Sequence, residues 1–216
     1  MTPVVFDLDG VLVDTEHVWD EVREQLVADW GGRYGPDAQQ AMMGMSSTEW
    51  SRYMQEELGL AQSPAEISDE VVRRMLVRYD EELPVVDGAK EAVESLAGRG
   101  HRLAVASSSN RPLIDGVLQA MGLADRFAAT VSSEEVARGK PAPDVYLEAA
   151  RRLRAGPASC VAVEDSANGI RAARAAGMRV LAYPNRRYPP PAEALALADR
   201  VLCALTELPA AIDELS

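Results

Sequence analysis

Short apolar runs and helically spaced apolar positions divide this chain into two regimes. Residues 3–6, Pro3-Val4-Val5-Phe6, form a brief apolar run that ends in acids, the pattern of a buried strand delivering side chains from its carboxyl end. From Val18 to Trp30 the positions Val18, Val22, Leu26, Val27 and Trp30 recur at helical spacing, and Gly31-Gly32 stops the run. A second helix is expected to start at the cap residues Ser46-Ser47-Thr48 and to end at Gly59. A third is expected from Ser68 through Val71, Val72, Met75, Leu76 and Tyr79, closed by Pro84. Residues 15–83 therefore read as wholly helical, and they hold Trp19, Trp30 and Trp50, all the tryptophans of the chain.

Beyond Pro84 the pattern becomes an alternation of helices and buried strands. Helices are expected at 88–97, 112–121, 143–152 and 166–176, and strands at 103–106, 127–131, 161–163 and 180–183. Alternating βα units give a parallel sheet covered by helices on both faces, and the first strand should join it. The fold class expected is α/β: a doubly wound, Rossmann-like parallel-sheet core from residues 1–14 and 84–216, with an inserted α-helical cap domain over 15–83.

The 216 residues suffice for one sizeable core and a modest second lobe, since domains run to about 100–150 residues. A formal net charge of −12 argues against nucleic acid or an anionic membrane as partner, because both require a basic face. A small phosphorylated metabolite remains open as partner, and nothing in the sequence sets an oligomeric state. No apolar stretch approaches the roughly 20 residues of a membrane span. Cys160 and Cys203 stand outside any CxxC pair and read as buried thiols of a reducing compartment, so a cytoplasmic location is expected.

Open parallel sheets bind ligands at the carboxyl ends of their strands, and this chain places polar clusters there. These are Asp7-Leu8-Asp9-Gly10, Ser107-Ser108-Ser109, Gly139-Lys140-Pro141 and Glu164-Asp165-Ser166. Carboxylates of this kind suit Mg²⁺ together with a phosphate. Gly10 would permit the turn that brings Asp7 and Asp9 to one site. Asp7 would then be the nucleophile and Asp9 the acid and base. Lys140 would neutralise charge and Ser107 would bond a phosphate oxygen. Lys140 is one of two lysines in a chain with 20 arginines, which favours a specific need for a compact ammonium.

The run Phe6-Asp7-Leu8-Asp9-Gly10-Val11-Leu12-Val13-Asp14-Thr15-Glu16 resembles the first motif of the haloacid dehalogenase superfamily. Ser107 is similar to its second motif, Gly139–Asp144 to its third and Val163-Glu164-Asp165-Ser166 to its fourth, in family order. The resemblance implies Asp7 and Asp9 as catalytic residues, with Ser107, Ser108 and Lys140 on the phosphate. It implies Mg²⁺ held by Asp7, Asp9 through its carbonyl, and Asp165, with Glu164 in or just outside that set. The function implied is hydrolysis of a small phosphomonoester, a sugar phosphate or phosphoglycolate, through a phosphoaspartate.

Phosphoacceptor signalling modules share the acids and lysine, but carry the acceptor on a middle strand and lack a long helical insert. A catalytically dead binding protein would not need both Asp7 and Asp9. Dehalogenases lack the second acid, and phosphonate-cleaving relatives need a cap lysine, which residues 15–83 do not contain. The β-phosphoglucomutase relatives are closer. Their cap arginine after Gly-x-Ser is replaced in Gly44-Met45-Ser46-Ser47 by Ser47, and their cap histidine by Trp19, which favours hydrolysis. Arg52 is the residue that could restore the missing charge.

Overall fold

The computed structural model describes residues 1–43 and 45–215. Strands β1 (Val4–Phe6), β2 (Leu103–Ser107), β3 (Phe127–Ser132), β4 (Val161–Glu164), β5 (Arg179–Ala182) and β6 (Arg200–Val201) form one sheet in the order β3-β2-β1-β4-β5-β6. Every pairing is parallel. Chain order reverses at β1, so the crevice beyond its carboxyl end is the topological switch point where such sheets bind ligands.

Side chains alternate across the sheet with the period of two that strands impose. Val4, Phe6, Leu103, Val105, Val161 and Val163 belong to one apolar layer, whereas Val5, Ala104, Ala106 and Ala162 belong to the other. The first layer includes residues of α5 (Ala89–Gly98), α6 (Arg111–Ala120) and α10 (Leu208–Glu214). The alanine-rich face packs on α7 (Asp144–Arg152) and α8 (Ala167–Ala175), whose Tyr146 and Ile170 fill the space the small residues leave.

Between β1 and α5 the chain makes α1 (Glu16–Asp29), α2 (Ala38–Met42), α3 (Ser47–Glu56) and α4 (Pro64–Glu81). Ser46 and Ser63 close capping boxes with Glu49 and Glu66. Helix α4 thus begins before the expected Ser68, because Ser63 with Pro64 at the first helical position is the stronger start. Helix α2 was not foreseen, and neither were the short elements α9 (Ala192–Leu195), β6 and α10. The insert shares an apolar cluster with the sheet, running from Phe6 and Leu8 through Leu12 to Val22, Trp50 and Met75. Its linkers lie side by side, with the Asp14 amide donating to Pro84 O (2.7 Å) and the Val86 amide to Leu12 O (3.1 Å). No helix among the described residues is long and apolar enough to cross a membrane.

Candidate active site

Strand β1 delivers Asp7 into the switch point. The Asp7 amide donates to Val163 O on β4 (3.0 Å), and its Oδ1 accepts from the Leu8 amide (2.8 Å) and from Lys140 Nζ (2.9 Å). Lys140 lies between β3 and α7, is 3% exposed, and shares its ammonium with Glu164 Oε1 (2.6 Å). Glu164 has no accessible surface, and a buried charge of that kind must be paired and hydrogen-bonded. Its Oε1 also accepts from the Tyr146 hydroxyl (2.5 Å). Its Oε2 accepts from the Asp165 amide (3.1 Å), the Ser166 amide (3.2 Å) and the Ser166 hydroxyl (3.2 Å). A glycine is required beside it: a Cβ on Gly169 would fall 1.8 Å from Glu164 Oε1.

Burial raises the pKa of Asp7 well above the usual carboxylate range, and Glu164 adds to this while Lys140 opposes it. Asp165 is raised in the same way, by burial first and then by Glu164 and Asp7. For Lys140, burial acts to lower the pKa, but the carboxylates of Asp7 and Glu164 outweigh it and the net shift is upward.

Asp7, Glu164 and Asp165 each place an oxygen within 4.8 Å of the others. Oδ1 of Asp165 is buried with no hydrogen-bond partner among the described residues. A Cβ on Gly10, whose φ is +82°, would lie 1.9 Å from Asp165 Oδ2, so glycine admits this carboxylate. Crowded hard oxygens, excess negative charge and an orphaned carboxylate oxygen fit a divalent cation, and Mg²⁺ is typically held by one or two carboxylates with water and phosphate. Asp7 and Asp165 suit the ligand role. Glu164, expected in or near that set, lies in the same cluster and receives five hydrogen bonds, one of them from Lys140.

Asp9 points toward the insert. Its Oδ1 accepts from the Thr15 hydroxyl and from Trp19 Nε1 (3.2 Å), and its Oδ2 from the Ser109 hydroxyl (2.6 Å). The cavity above Asp7, Asp9, Lys140 and Asp165 is roofed by Glu16, Trp19, Arg23, Met42, Met45 and Trp50. It holds about 50 Å³, room for only a few waters at roughly 10–15 Å³ each. The Arg23 guanidinium lies over the rings of Trp19 (4.5 Å) and Trp50 (5.0 Å). Glu16, partly open to the cavity, has its pKa pushed up to about 7, by burial first and Asp9 second, against Arg23 and Gln39.

Residues 2–177 match the haloacid dehalogenase-like hydrolases. The chain belongs to that family. Hexitol phosphatase B of Escherichia coli (strain K12) is 34% identical over 213 residues, 95% of this chain and 93% of the relative. Fructose-1-phosphate phosphatase YqaB of the same strain is 36% identical over 181 residues, 81% of this chain and 92% of the relative. The solved structure of CbbY from Rhodobacter sphaeroides in complex with phosphate superposes with a TM-score of 0.85 at 28% identity, covering 96% of each chain.

In this haloacid dehalogenase-like hydrolase the expected Asp7, Asp9, Lys140 and Asp165 line one cavity, and Ser108 forms part of its wall. Ser107 stands behind them, fully buried, with its Oγ accepting the Ser109 amide (2.9 Å). It shapes the turn, and Ser109 lines the cavity beside Ser108. Arg52, the residue expected to be able to restore the missing mutase charge, is exposed and is not among the residues lining the cavity. Gly44 of the cap motif lies outside the described residues, while Ser47 donates to Glu134 Oε1 (3.0 Å) of the core. Asn168 reaches Met43 O (3.4 Å) in the insert rather than the acids. Cys160 is buried as expected; Cys203 is exposed, because it follows the edge strand β6.

Sequence reasoning missed Glu16, Arg23, Gln39, Tyr146 and Gly169. A signal existed for the first two: Glu16, Trp19 and Arg23 are spaced by three and four, one stripe of a helix on which polar residues interrupt the buried side. Trp50, read as core, is 2% exposed and also meets the cavity.

Proposed function

We propose that this chain hydrolyses a small phosphomonoester of the sugar-phosphate type through a phosphoaspartate on Asp7, with Mg²⁺ as cofactor. The observation that carries the reading is the buried Lys140–Asp7 ion pair at the switch point, beside the orphaned oxygen of Asp165. That the relatives include a hexitol phosphatase and a fructose-1-phosphate phosphatase supports the substrate class. Mg²⁺, held by Asp7, Asp165 and the Asp9 carbonyl, would supply charge neutralisation at the phosphoryl oxygens.

The chain's own groups do the rest. An Asp7 oxygen bonds to phosphorus as the ester P–O bond breaks, and Asp9 gives its proton to the departing alkoxide. Water then attacks the same phosphorus and passes a proton to Asp9, and the bond to Asp7 breaks, releasing inorganic phosphate. Lys140 and Ser108 hold the phosphoryl oxygens, with Ser107 fixing the turn that presents Ser108. Residues 15–83 act as a cap that swings on the paired linkers at Asp14 and Val86, since the closed cavity is too small to admit a sugar phosphate. Water activated by Asp9 is the acceptor, because Ser47 stands where the mutases carry arginine and Arg52 faces solvent. The cytoplasm is the proposed location.

Inorganic phosphate release from a panel of phosphomonoesters with Mg²⁺, with chelator and with Asp7→Asn tests this. Release that needs both magnesium and Asp7, with Asp7→Asn folded by circular dichroism, is the expected result. Near-normal release by Asp7→Asn refutes the nucleophile, and conversion of β-glucose 1-phosphate to glucose 6-phosphate without phosphate release refutes hydrolysis.

A further inference from the structure

Arg23 is 4% exposed and roofs the cavity, and its Nε has no hydrogen-bond partner among the described residues. Its Nη1 donates to a neutral group, Gln39 Oε1 (3.0 Å). Gln39 is engaged in both directions, because its Nε2 donates to Glu16 Oε2 (2.8 Å) and to Glu16 O (3.3 Å). One amide therefore holds a donor, the guanidinium, and an acceptor, the Glu16 carboxyl, at a fixed separation over Asp9. Trp19 and Trp50 crowd the guanidinium from neighbouring directions, with their ring centroids 5.9 Å apart, and its unpaired Nε–H is the donor left for a ligand when the insert lifts.

We propose that Arg23, Gln39 and Glu16 form a subsite for hydroxyl groups of the leaving alcohol, selecting neutral polyhydroxy monophosphates over substrates with a second anionic group. The inference rests on the phosphatase reading. A hydroxyl both donates and accepts, so neighbouring hydroxyls can satisfy an acceptor carboxylate and a donor guanidinium at once. A second phosphate or a carboxylate only accepts, so it could pair with Arg23 but would find no donor in the Glu16 carboxyl beside it and would face Asp9 across the cavity.

The test measures kcat and KM with Mg²⁺ for a six-carbon polyol monophosphate, a sugar bisphosphate and p-nitrophenyl phosphate, whose leaving group bears no hydroxyls. The wild-type protein should favour the polyol monophosphate over the bisphosphate. In Arg23→Met and Gln39→Leu, kcat/KM on the polyol monophosphate should fall, mainly through KM, about 10–100-fold further than on p-nitrophenyl phosphate, the worth of one charged hydrogen bond. Equal losses on both substrates, or wild-type preference for the bisphosphate, overturn the subsite while leaving the phosphatase reading intact. The wild-type comparison decides even if both variants fail to fold. No release by wild type from any of these substrates overturns the subsite and the phosphatase reading together.

Discussion

Replacing Gly169 with alanine opposes two effects whose magnitudes differ enough to fix the sign. Gly169 lies within α8 and is not among the glycines with positive φ. By helix propensity alone, alanine there should stabilise by about 0.8–1.0 kcal/mol. The structure predicts the reverse, because the new Cβ would lie 1.8, 1.9 and 2.0 Å from Oε1, Cδ and Oε2 of Glu164. The carboxylate would have to leave its place, abandoning Lys140, Tyr146 and two backbone amides. Breaking a buried ion pair costs about 3–5 kcal/mol, so the net change is a loss of roughly 2–4 kcal/mol. For a chain of this size that lowers Tm by roughly 5–15 °C. Urea unfolding followed by circular dichroism at neutral pH reads the effect as a lower midpoint at unchanged slope. Gly169→Ala at or above wild-type stability refutes the reasoning. A double variant isolates the cause: in a Glu164→Ala background the clash is gone, and Gly169→Ala should then cost nothing.

Other outcomes follow from the same geometry. Gly10→Ala should weaken Mg²⁺ binding by at least about 10-fold in calorimetry, since its Cβ would displace Asp165 from 1.9 Å and the φ of +82° resists a side chain; unchanged affinity would count against Asp165 as ligand. Tyr146→Phe should cost about 1–3 kcal/mol by leaving Glu164 short of a buried donor, and a neutral result in urea would show the bond to be dispensable. Glu16 carries a pH signature, because its folded pKa of about 7 lies above the ordinary 4.5. The folded state therefore holds this proton more tightly than the unfolded chain does. The resulting stability is fully present below about pH 4.5 and is lost as pH rises to about 7, where it levels off. Wild type should thus lose stability relative to Glu16→Gln across that window, by up to about 3 kcal/mol; a pH-independent difference would contradict the assigned burial.

Asp7, Asp9 and Asp165 were legible because a parallel sheet fixes where the residues after an apolar run must point, and Lys140 because it is one of two lysines in the chain and stands in motif order. The βα alternation likewise predicted β2 to β5 and their helices. Periodicity could not reveal β6, with two residues, or α9, with four. Tyr146 sits between Val145 and Leu147 and reads as core, and only its placement against Glu164 gives its hydroxyl a purpose. The roof of the cavity was hidden for another reason. Which stripe of α1 faces the acids depends on how the whole insert docks, and the Asp9 bond to Trp19 that records this docking is tertiary. Glu164 shows what motif reasoning leaves out: the residue stands where expected beside Asp7 and Asp165, but the five donors around it, Lys140 and Tyr146 among them, come from tertiary packing.

The central position of β1 has a consequence for synthesis. Val4 pairs with Leu103 on one side and with Val161 on the other, so the strand carrying Asp7 has no local partner. At about 5–20 residues per second, a ribosome takes roughly 10–30 s to travel from the first of these positions to the last. For about the first two thirds of that interval the Val4-Val5-Phe6 segment has neither partner strand, and until β4 is made one of its edges stays open. Translation products ending before β4 lack both that partner and Asp165, so they expose an open edge of a sticky strand to chaperones and to one another.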